Sequence, residues 1–94
     1  MEFSDFEWDD DKNAHNIAEH GIDFQIAIEA FDDDLAIPFS DPEHSVTGEP
    51  RYALIGMCST GLVFISFTYR GERCRVISAR KASRRMQKLY VEND

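Results

Sequence analysis

Cysteine is scarce in this sequence, and a long apolar run is missing altogether. Two cysteines, Cys58 and Cys74, are too few for a disulfide framework or for a zinc site of four thiolates, so we expect a reducing, cytoplasmic setting. No stretch approaches the roughly 18 apolar residues of a membrane-spanning helix, and the N-terminal residues do not fit a secretory signal. We therefore expect no membrane association. The length of 94 residues and the hydrophobic content of 43% predict one folded domain over residues 1–94.

Basic residues are nearly absent from the first half of the chain. Residues 1–50 contain fifteen acidic residues and one basic residue, Lys12, whereas residues 51–94 contain nine basic and three acidic residues. Two interpretations stay open: the halves neutralise each other in the folded monomer, or the arginines form a phosphate or nucleic-acid site, because guanidinium groups match phosphate oxygens in pairs. The net charge of −8 argues against nonspecific coating of DNA but not against a local basic groove.

The first third of the chain predicts a strand and two helices. A short, half-buried strand is expected around Phe3, Phe6 and Trp8. Residues 9–11, all aspartates, suit a helix N-terminus, and the helix is expected to run to His20, with Gly21 following it. A second helix is capped by Asp23 and presents a core-facing stripe, which consists of Phe24, Ala27, Ile28 and Phe31.

The rest of the chain predicts a sheet followed by a helix. An edge strand interrupted by Pro38 is expected at residues 35–39 and an exposed loop at 40–50. Three strands joined by hairpins are then expected at residues 51–58, 62–70 and 73–80, and a basic amphipathic helix from Lys81. In the middle strand Tyr69 falls on the apolar face, which predicts a core position. The opposite face of this strand starts with apolar residues and ends with polar ones, so its polar end can open to solvent or ligand.

These elements predict an α+β fold in the order β-α-α-β-β-β-β-α, in which two N-terminal helices pack on a mainly antiparallel sheet of four to five strands and a helix closes the chain. No motif for a metal or a cofactor is found. The three histidines, His15, His20 and His44, have no H-x-x-x-H spacing, and no C-x-x-C or phosphate-binding glycine loop is present. We therefore expect neither a metal ion nor a cofactor.

The bases around the last hairpin are the best candidates for chemistry. Arg70 and Arg73 flank one turn and Arg80 emerges at the opposite end, so these arginines cannot all converge through one strand pair. Lys12, Asn16 and His20 form a polar stripe on the first helix, and His20 is the titratable group best suited to neutral pH. Cleavage of RNA by its own 2′-hydroxyl needs a proton acceptor, cationic stabilisation of the phosphorane and an acid for the leaving group. Arginines can supply the cationic stabilisation. A histidine, a lysine or an acid such as Glu49 can supply the proton acceptor and the acid.

Three stretches resemble the BrnT family, the toxins of BrnT/BrnA type II toxin–antitoxin modules. They are FEWDDDKNAHNIAEHGIDFQIAIEAFDD (6–33), DPEHSVTGEPRYALIG (41–56) and FTYRGERCRVISARKASRRMQKLY (67–90). The most specific positions are Phe6-Glu7-Trp8-Asp9, Lys12, Asn16, His20-Gly21, Glu49, Arg51, Gly56, Tyr69-Arg70 and Ile77-Ser78-Ala79-Arg80. One departure is Glu19, where the family commonly has a basic residue, which lowers the positive charge beside His20.

The resemblance implies a RelE-like fold and a ribonuclease that restrains translation. It also implies neutralisation by a BrnA-type antitoxin, which is a ribbon-helix-helix DNA-binding protein. The toxin would then be recruited to DNA only through this antitoxin. Carried over by position, His20 would act as acid or base, Arg70 and Arg80 would stabilise phosphate, and Lys12 would contact the RNA backbone. The bases expected to bind RNA or the antitoxin are Arg73, Arg75, Lys81, Arg84 and Arg85.

Two alternatives to an active enzyme stay open. The chain could be a non-enzymatic module whose basic helix grips an acidic or amphipathic partner while the acidic half stays solvated. It could also be an inactive toxin retained only as a partner of the antitoxin in repression, an alternative that Glu19 favours.

Overall fold

The computed structural model describes residues 5–45 and 48–93, and within them it shows an α+β fold with one sheet. The expected α+β class is therefore confirmed. The residue Phe3 of the predicted first strand and positions 46–47 of the predicted loop lie outside the described residues. The elements in chain order are β1 (Phe6–Glu7), α1 (Asp10–His20), α2 (Phe24–Ala27), a 3₁₀ helix (Ile28–Asp32), β2 (Ile37–Ser40), a second 3₁₀ helix (Pro42–His44), β3 (Tyr52–Cys58), β4 (Gly61–Arg70), β5 (Arg73–Lys81) and α3 (Arg84–Glu92).

The sheet has the strand order β1-β5-β4-β3-β2. The pairs β2–β3, β3–β4 and β4–β5 are antiparallel, whereas β1 pairs with β5 in parallel over two residues. The sheet is therefore mixed, with β1 as its one parallel member among the described strands. Because β2 lies at the opposite edge, the missing N–H of Pro38 removes no hydrogen bond from the interior of the sheet.

The first helix begins and ends as its sequence predicts. The Asp9 carboxylate accepts a hydrogen bond from the Lys12 amide at 3.1 Å and so caps α1. At the other end Gly21 takes a left-handed φ of 70°, and its N–H donates to the carbonyl of Ile17 at 2.8 Å. This stop leaves His20 as the last residue of the helix.

The second helix differs from its prediction, because the expected single helix through Phe31 breaks in two. The α-helix ends at Ala27, and Ile28–Asp32 continues as a tighter 3₁₀ helix. The carboxylate of Glu29 in this segment accepts the amide of Ser59 at 2.7 Å, which ties it to the turn after β3. A tertiary contact of this kind is not visible in a helical apolar stripe, so the periodicity alone predicts one regular helix.

Two other elements also begin at residues that differ from the predicted ones. The edge strand starts at Ile37 instead of residue 35, because the Asp33 carboxylate binds the Leu35 amide at 3.0 Å and holds a turn there. The last helix starts at Arg84, since β5 runs on to Lys81 and the Ser83 hydroxyl then caps the helix.

The core lies between one face of the sheet and the α2 region. Trp8 packs edge-on against Phe24 with ring centroids 5.9 Å apart, and Phe31 meets Phe67 in the same geometry at 5.1 Å. The largest fully buried residues are Phe24, Phe67, Leu54, Ile55, Ile65, Val63, Val76, Thr68 and Cys74. No helix of the described chain has the length and apolarity that crossing a bilayer would need.

The predicted core position of Tyr69 is wrong, since this residue is 41% exposed. Its ring meets Tyr52 edge-on, with centroids 4.9 Å apart, at the end of β4 where the helical layer no longer covers the sheet. Strand alternation predicts the face of a residue but not where the covering layer stops.

Candidate functional site

A cleft of about 290 Å³ opens on the sheet face that α2 leaves uncovered. Its lining combines cationic, hydroxyl and aromatic groups from five segments of the chain. The lining residues are His20, Asp41, Arg51, Phe64, Ser66, Ile77, Ser78 and Arg80.

A β-bulge in β5 shapes the floor of this cleft. Ser66 pairs with Ser78 but Phe67 pairs with Val76, so that Ile77 is an extra residue without a partner in β4. As a result Val76 and Ala79, three positions apart, both face the core, while Ile77 and Ser78 are half-buried and line the cleft. Bulges redirect side chains in this way and are frequent beside functional sites.

The Arg80 guanidinium is held against an aromatic ring. Arg80 pairs with Phe64 across β4 and β5, and its guanidinium carbon lies 5.1 Å from the centroid of that ring. Phe64 is in turn 6.1 Å from the ring of Phe39. A cation–π contact at an exposed site is worth about 0.5–1 kcal/mol, so it favours a position of the guanidinium along the wall of the cleft.

Arg51 enters the cleft from a fixed backbone. Its N–H donates to the Ser45 hydroxyl at 2.8 Å, and its carbonyl accepts the amide of Asp41 at 2.9 Å. The Nε atom of Arg51 is buried, and within the described residues it has no hydrogen-bond partner. The side chain of Arg51 thus lines the cleft, while its buried Nε–H is unsatisfied.

His20 reaches the cleft from the end of α1. Its position depends on Asn16, which is 4% exposed and binds both backbone groups of Ala79 in β5. Since Arg80 follows Ala79 directly, this contact sets the imidazole of His20 and the guanidinium of Arg80 on the same cleft.

A second groove of about 430 Å³ runs along α1 and contains Lys12. It shares His20, Ile77 and Ser78 with the cleft, so the two are continuous. Acidic side chains also line the groove. They are Asp11 and Glu19, the latter 3.6 Å from the His15 imidazole.

The predicted site residues are only partly brought together. His20 and Arg80 share the cleft and Lys12 lies on the adjoining groove. Arg70 pairs with Arg73 at the other end of the hairpin, six residues along β4 from Phe64, or roughly 20 Å at 3.3 Å per residue.

The bases predicted to bind RNA lie in three different places. Arg75 donates to the Glu7 carboxylate at 2.7 Å, and Arg73 lies 4.0 Å from Asp5 and from Glu7, so both face acids of the N-terminal half. Lys81 lines a smaller pocket beside His20. Arg84 and Arg85 are exposed at the start of α3.

The polar end of the second β4 face is open at Ser66, which lines the cleft, and at Arg70, which is exposed, but it is closed between them. Thr68 is fully buried, and its hydroxyl donates to the Pro50 carbonyl at 2.6 Å. The opening lies nearer the middle of the strand, over Phe64 and Ser66. Glu49, which precedes this covering proline, is not among the residues that line the cleft.

The cysteines lie apart from this site. Burial raises the pKa of the Cys74 thiol to about 12, and Cys58 is also buried and unpaired. Protonated, inaccessible thiols are poor nucleophiles and poor metal ligands. In residues 5–45 and 48–93, no group of three or more His, Cys, Asp or Glu residues is arranged to hold a metal ion.

Sequence reasoning assigned no role to the cleft residues of the loop before β3 or to the two serines. Arg51 carries two signals, because it is the single arginine or lysine in residues 41–56 and one of the positions that carry the family resemblance. The serines are recognisable only once register is known, since Ala53, Ser66 and Ser78 pair across three neighbouring strands.

Comparison with known proteins gives one family. A family model described as the ribonuclease toxin BrnT of type II toxin–antitoxin systems matches residues 8–85. That span includes every residue that lines the cleft. No individual curated protein matches the chain.

Proposed function

Because the chain belongs to the BrnT family of ribonuclease toxins from type II toxin–antitoxin systems, we propose that it is an endoribonuclease whose active site is the cleft at His20 and Arg80. In this proposal it cleaves RNA without a metal ion, inhibits translation and has a RelE-like fold. The observation that carries the assignment is that the His20 side chain and the Arg80 side chain, which stacks on Phe64, line one open cleft.

The proposed reaction is attack of a ribose 2′-hydroxyl on the adjacent phosphate. The 2′-oxygen forms a bond to phosphorus, the bond to the 5′-oxygen breaks, and a cyclic 2′,3′-phosphate and a 5′-hydroxyl result. The 2′-hydroxyl gives up one proton and the leaving oxygen takes one, and His20 performs one of these transfers. Arg80 stabilises the negative charge that grows on the non-bridging oxygens, and its contact with Phe64 favours a position of the guanidinium inside the cleft.

The neighbouring bases then extend RNA binding beyond the cleft. Lys12 contacts the backbone along the α1 groove, and Lys81 lies on the pocket at the other side of His20. Arg70 supports binding from the far end of the hairpin in this proposal. Arg73 and Arg75 must give up their contacts with the Glu7 carboxylate before they can bind RNA. Their contribution to RNA binding is therefore smaller than that of the bases without such contacts.

A type II toxin implies an antitoxin partner, and we propose a BrnA-type protein with a ribbon-helix-helix DNA-binding part. Its contact is placed on α3, where Arg84 and Arg85 are exposed together with Leu89 and Val91. DNA would be reached through that partner alone.

A specific observation supports the alternative of an inactive toxin that only binds its antitoxin. Carboxylates accompany the bases at the site, Asp41 in the cleft and Asp11 and Glu19 in the groove. Like charges repel phosphate, so these acids weaken RNA binding. Antitoxin binding without growth arrest is the result that this alternative predicts.

Expression of the chain with and without its antitoxin tests the proposal. Growth should stop without the antitoxin, and His20→Ala and Arg80→Ala should relieve the arrest while their circular dichroism stays native. Lys88→Ala, an exposed base of α3, is the matched control and should stay toxic. The purified chain should also convert RNA into fragments with cyclic phosphate ends. Intact RNA after long incubation at low salt would contradict an enzymatic function, and full toxicity of both folded variants would contradict the assigned site.

A further inference from the structure

One buried donor is left without a partner in this fold, and it belongs to Arg51. Within residues 5–45 and 48–93, the Nε atom of Arg51 is the one buried side-chain nitrogen or oxygen that makes no hydrogen bond. Burying such a group unsatisfied costs about 1–3 kcal/mol, more when it is charged. Native structures avoid this cost nearly everywhere, so an exception in a side chain that lines a cleft points to a ligand of the guanidinium group as a whole.

The backbone around Arg51 shows that this position is built and is not a loose surface arginine. The Ser45 hydroxyl accepts the Arg51 amide at 2.8 Å and donates to the Asp41 carbonyl at 2.9 Å, while the Asp41 amide returns a bond to the Arg51 carbonyl. These three bonds fix the start of the side chain immediately before β3.

The strand register puts Arg51 and Arg80 at opposite ends of a common floor. Ala53, two residues after Arg51, pairs with Ser66, which pairs with Ser78. Phe64, two residues before Ser66, pairs with Arg80. Because residues two apart on a strand share a face, the two arginines enclose the Ser66–Ser78 floor from either side.

We propose that Arg51 is a further catalytic residue, whose guanidinium group donates to a non-bridging oxygen of the scissile phosphate while Arg80 binds the phosphate from the other end of the floor. This inference rests on the proposed ribonuclease function. The charge on the phosphate oxygens is greatest in the transition state, so a donor held ready at that point lowers the barrier. A lysine cannot replace it, because an ammonium group has neither the planar fork nor a donor at the Nε position.

Single-turnover cleavage by Arg51→Lys and Arg51→Gln tests this role, with Lys88→Gln as a control that removes the same charge from exposed α3. We expect the rate at saturating enzyme to fall about 100-fold in both Arg51 variants, as for loss of one preorganised donor, and to stay within twofold in Lys88→Gln. A wild-type rate in folded Arg51→Lys overturns the inference while leaving the ribonuclease function intact.

Arginine Nε–H resonances of the whole chain give a second measurement that needs no turnover. The Arg51 resonance is identified by its loss in Arg51→Lys, and inorganic phosphate is then titrated. It should shift saturably, whereas that of Arg75, whose guanidinium binds Glu7, should not. An unmoved Arg51 resonance overturns the inference. If the wild-type chain cleaves no RNA, the proposed function fails, and this titration alone decides whether Arg51 binds phosphate.

Discussion

Asn16 of α1 binds both backbone groups of Ala79 in β5: its Nδ2 donates to the Ala79 carbonyl at 2.8 Å, and its Oδ1 accepts the Ala79 amide at 3.1 Å. The same Nδ2 also donates to the carbonyl of Ile22 at 2.9 Å. Where β5 extends beyond its short pairing with β1, the Asn16 side chain therefore satisfies the backbone groups of Ala79 at its edge. This contact fixes the helix that carries His20 to the strand that carries Arg80.

Replacing Asn16 with alanine should lower both stability and activity. The substitution leaves the amide and carbonyl of Ala79 unsatisfied at a buried position, and we expect a loss of about 3 kcal/mol in the free energy of unfolding, measured by urea denaturation. RNA cleavage should also fall under conditions where the variant is fully folded, because His20 is no longer held against β5.

Asn93→Ala is the control for this experiment, since Asn93 is exposed and donates one long bond of 3.3 Å to Leu35. Its effect should stay within about 0.5 kcal/mol. Equal stability of the two variants would show that the Asn16 contact does not hold α1 in place.

The two arginines of the predicted catalytic set should respond differently to substitution. Arg80→Gln removes a guanidinium from the cleft and should lower kcat about 100-fold or more. Arg70→Gln acts four residues along β4 from Ser66, the nearest β4 residue of the cleft, or roughly 13 Å, so it should raise KM a few-fold at low salt and leave kcat nearly unchanged. Steady-state kinetics at two salt concentrations check this difference. An equal fall in kcat for both variants would place Arg70 in the active site after all.

The hairpin geometry behind this difference is predictable from sequence, because Arg70 and Arg73 flank a two-residue turn. The caps of α1 are likewise predictable, since an aspartate before the helix and a glycine after it act through local hydrogen bonds. Features of this kind depend on neighbours in the chain.

The bulge at Ile77 and the place of Arg51 in the cleft are not predictable in this way. A strict alternation through β5 assigns Ser78 and Arg80 to the face of Val76, and only the extra residue moves them to the cleft. The cleft also depends on where the loop before β3 brings Arg51, and that is set by contacts of Ser45 with residues on both sides of the loop. Both features depend on tertiary structure, which a single sequence does not display.

Gly56→Ala should destabilise the chain by about 1–3 kcal/mol through overpacking. A Cβ atom at Gly56 would lie 2.9 Å from the Cβ and the carbonyl oxygen of Ala30, and 3.2 Å from the Cβ of Ala36. The 3₁₀ segment therefore packs directly on β3 at this point. Adding Ala30→Gly removes one of the two closest atoms, so the double variant should be more stable than the sum of the single effects predicts. Thermal and urea unfolding of the wild type, the two single variants and the double variant measure this coupling. Strictly additive changes in the free energy of unfolding would contradict the contact.

The stability of the α3 attachment should depend on acidic pH through Asp33. Burial raises the pKa of this carboxyl, but hydrogen bonds from the Tyr90 hydroxyl and from the amides of Met57 and Leu35 outweigh it, so that the pKa lies below its ordinary value of 3.8. Because the folded-state pKa is depressed, the stabilisation is complete above pH 3.8 and is lost as the pH falls from there through the folded-state pKa.

Asp33→Asn measures this contribution, because it keeps the size of the side chain and removes its titration. Its free energy of unfolding should lie about 1–2 kcal/mol below that of the wild type at pH 7, and this difference should shrink as the pH falls below 3.8. Tyr90→Phe removes the 2.7 Å bond from the Tyr90 hydroxyl to Asp33 and should show a smaller loss with the same pH trend. Asp32→Asn, an exposed neighbour, controls for the change in net charge. A difference between wild type and Asp33→Asn that stays constant from pH 7 to pH 2.5 would contradict the assignment, since the stabilisation requires the charged carboxylate.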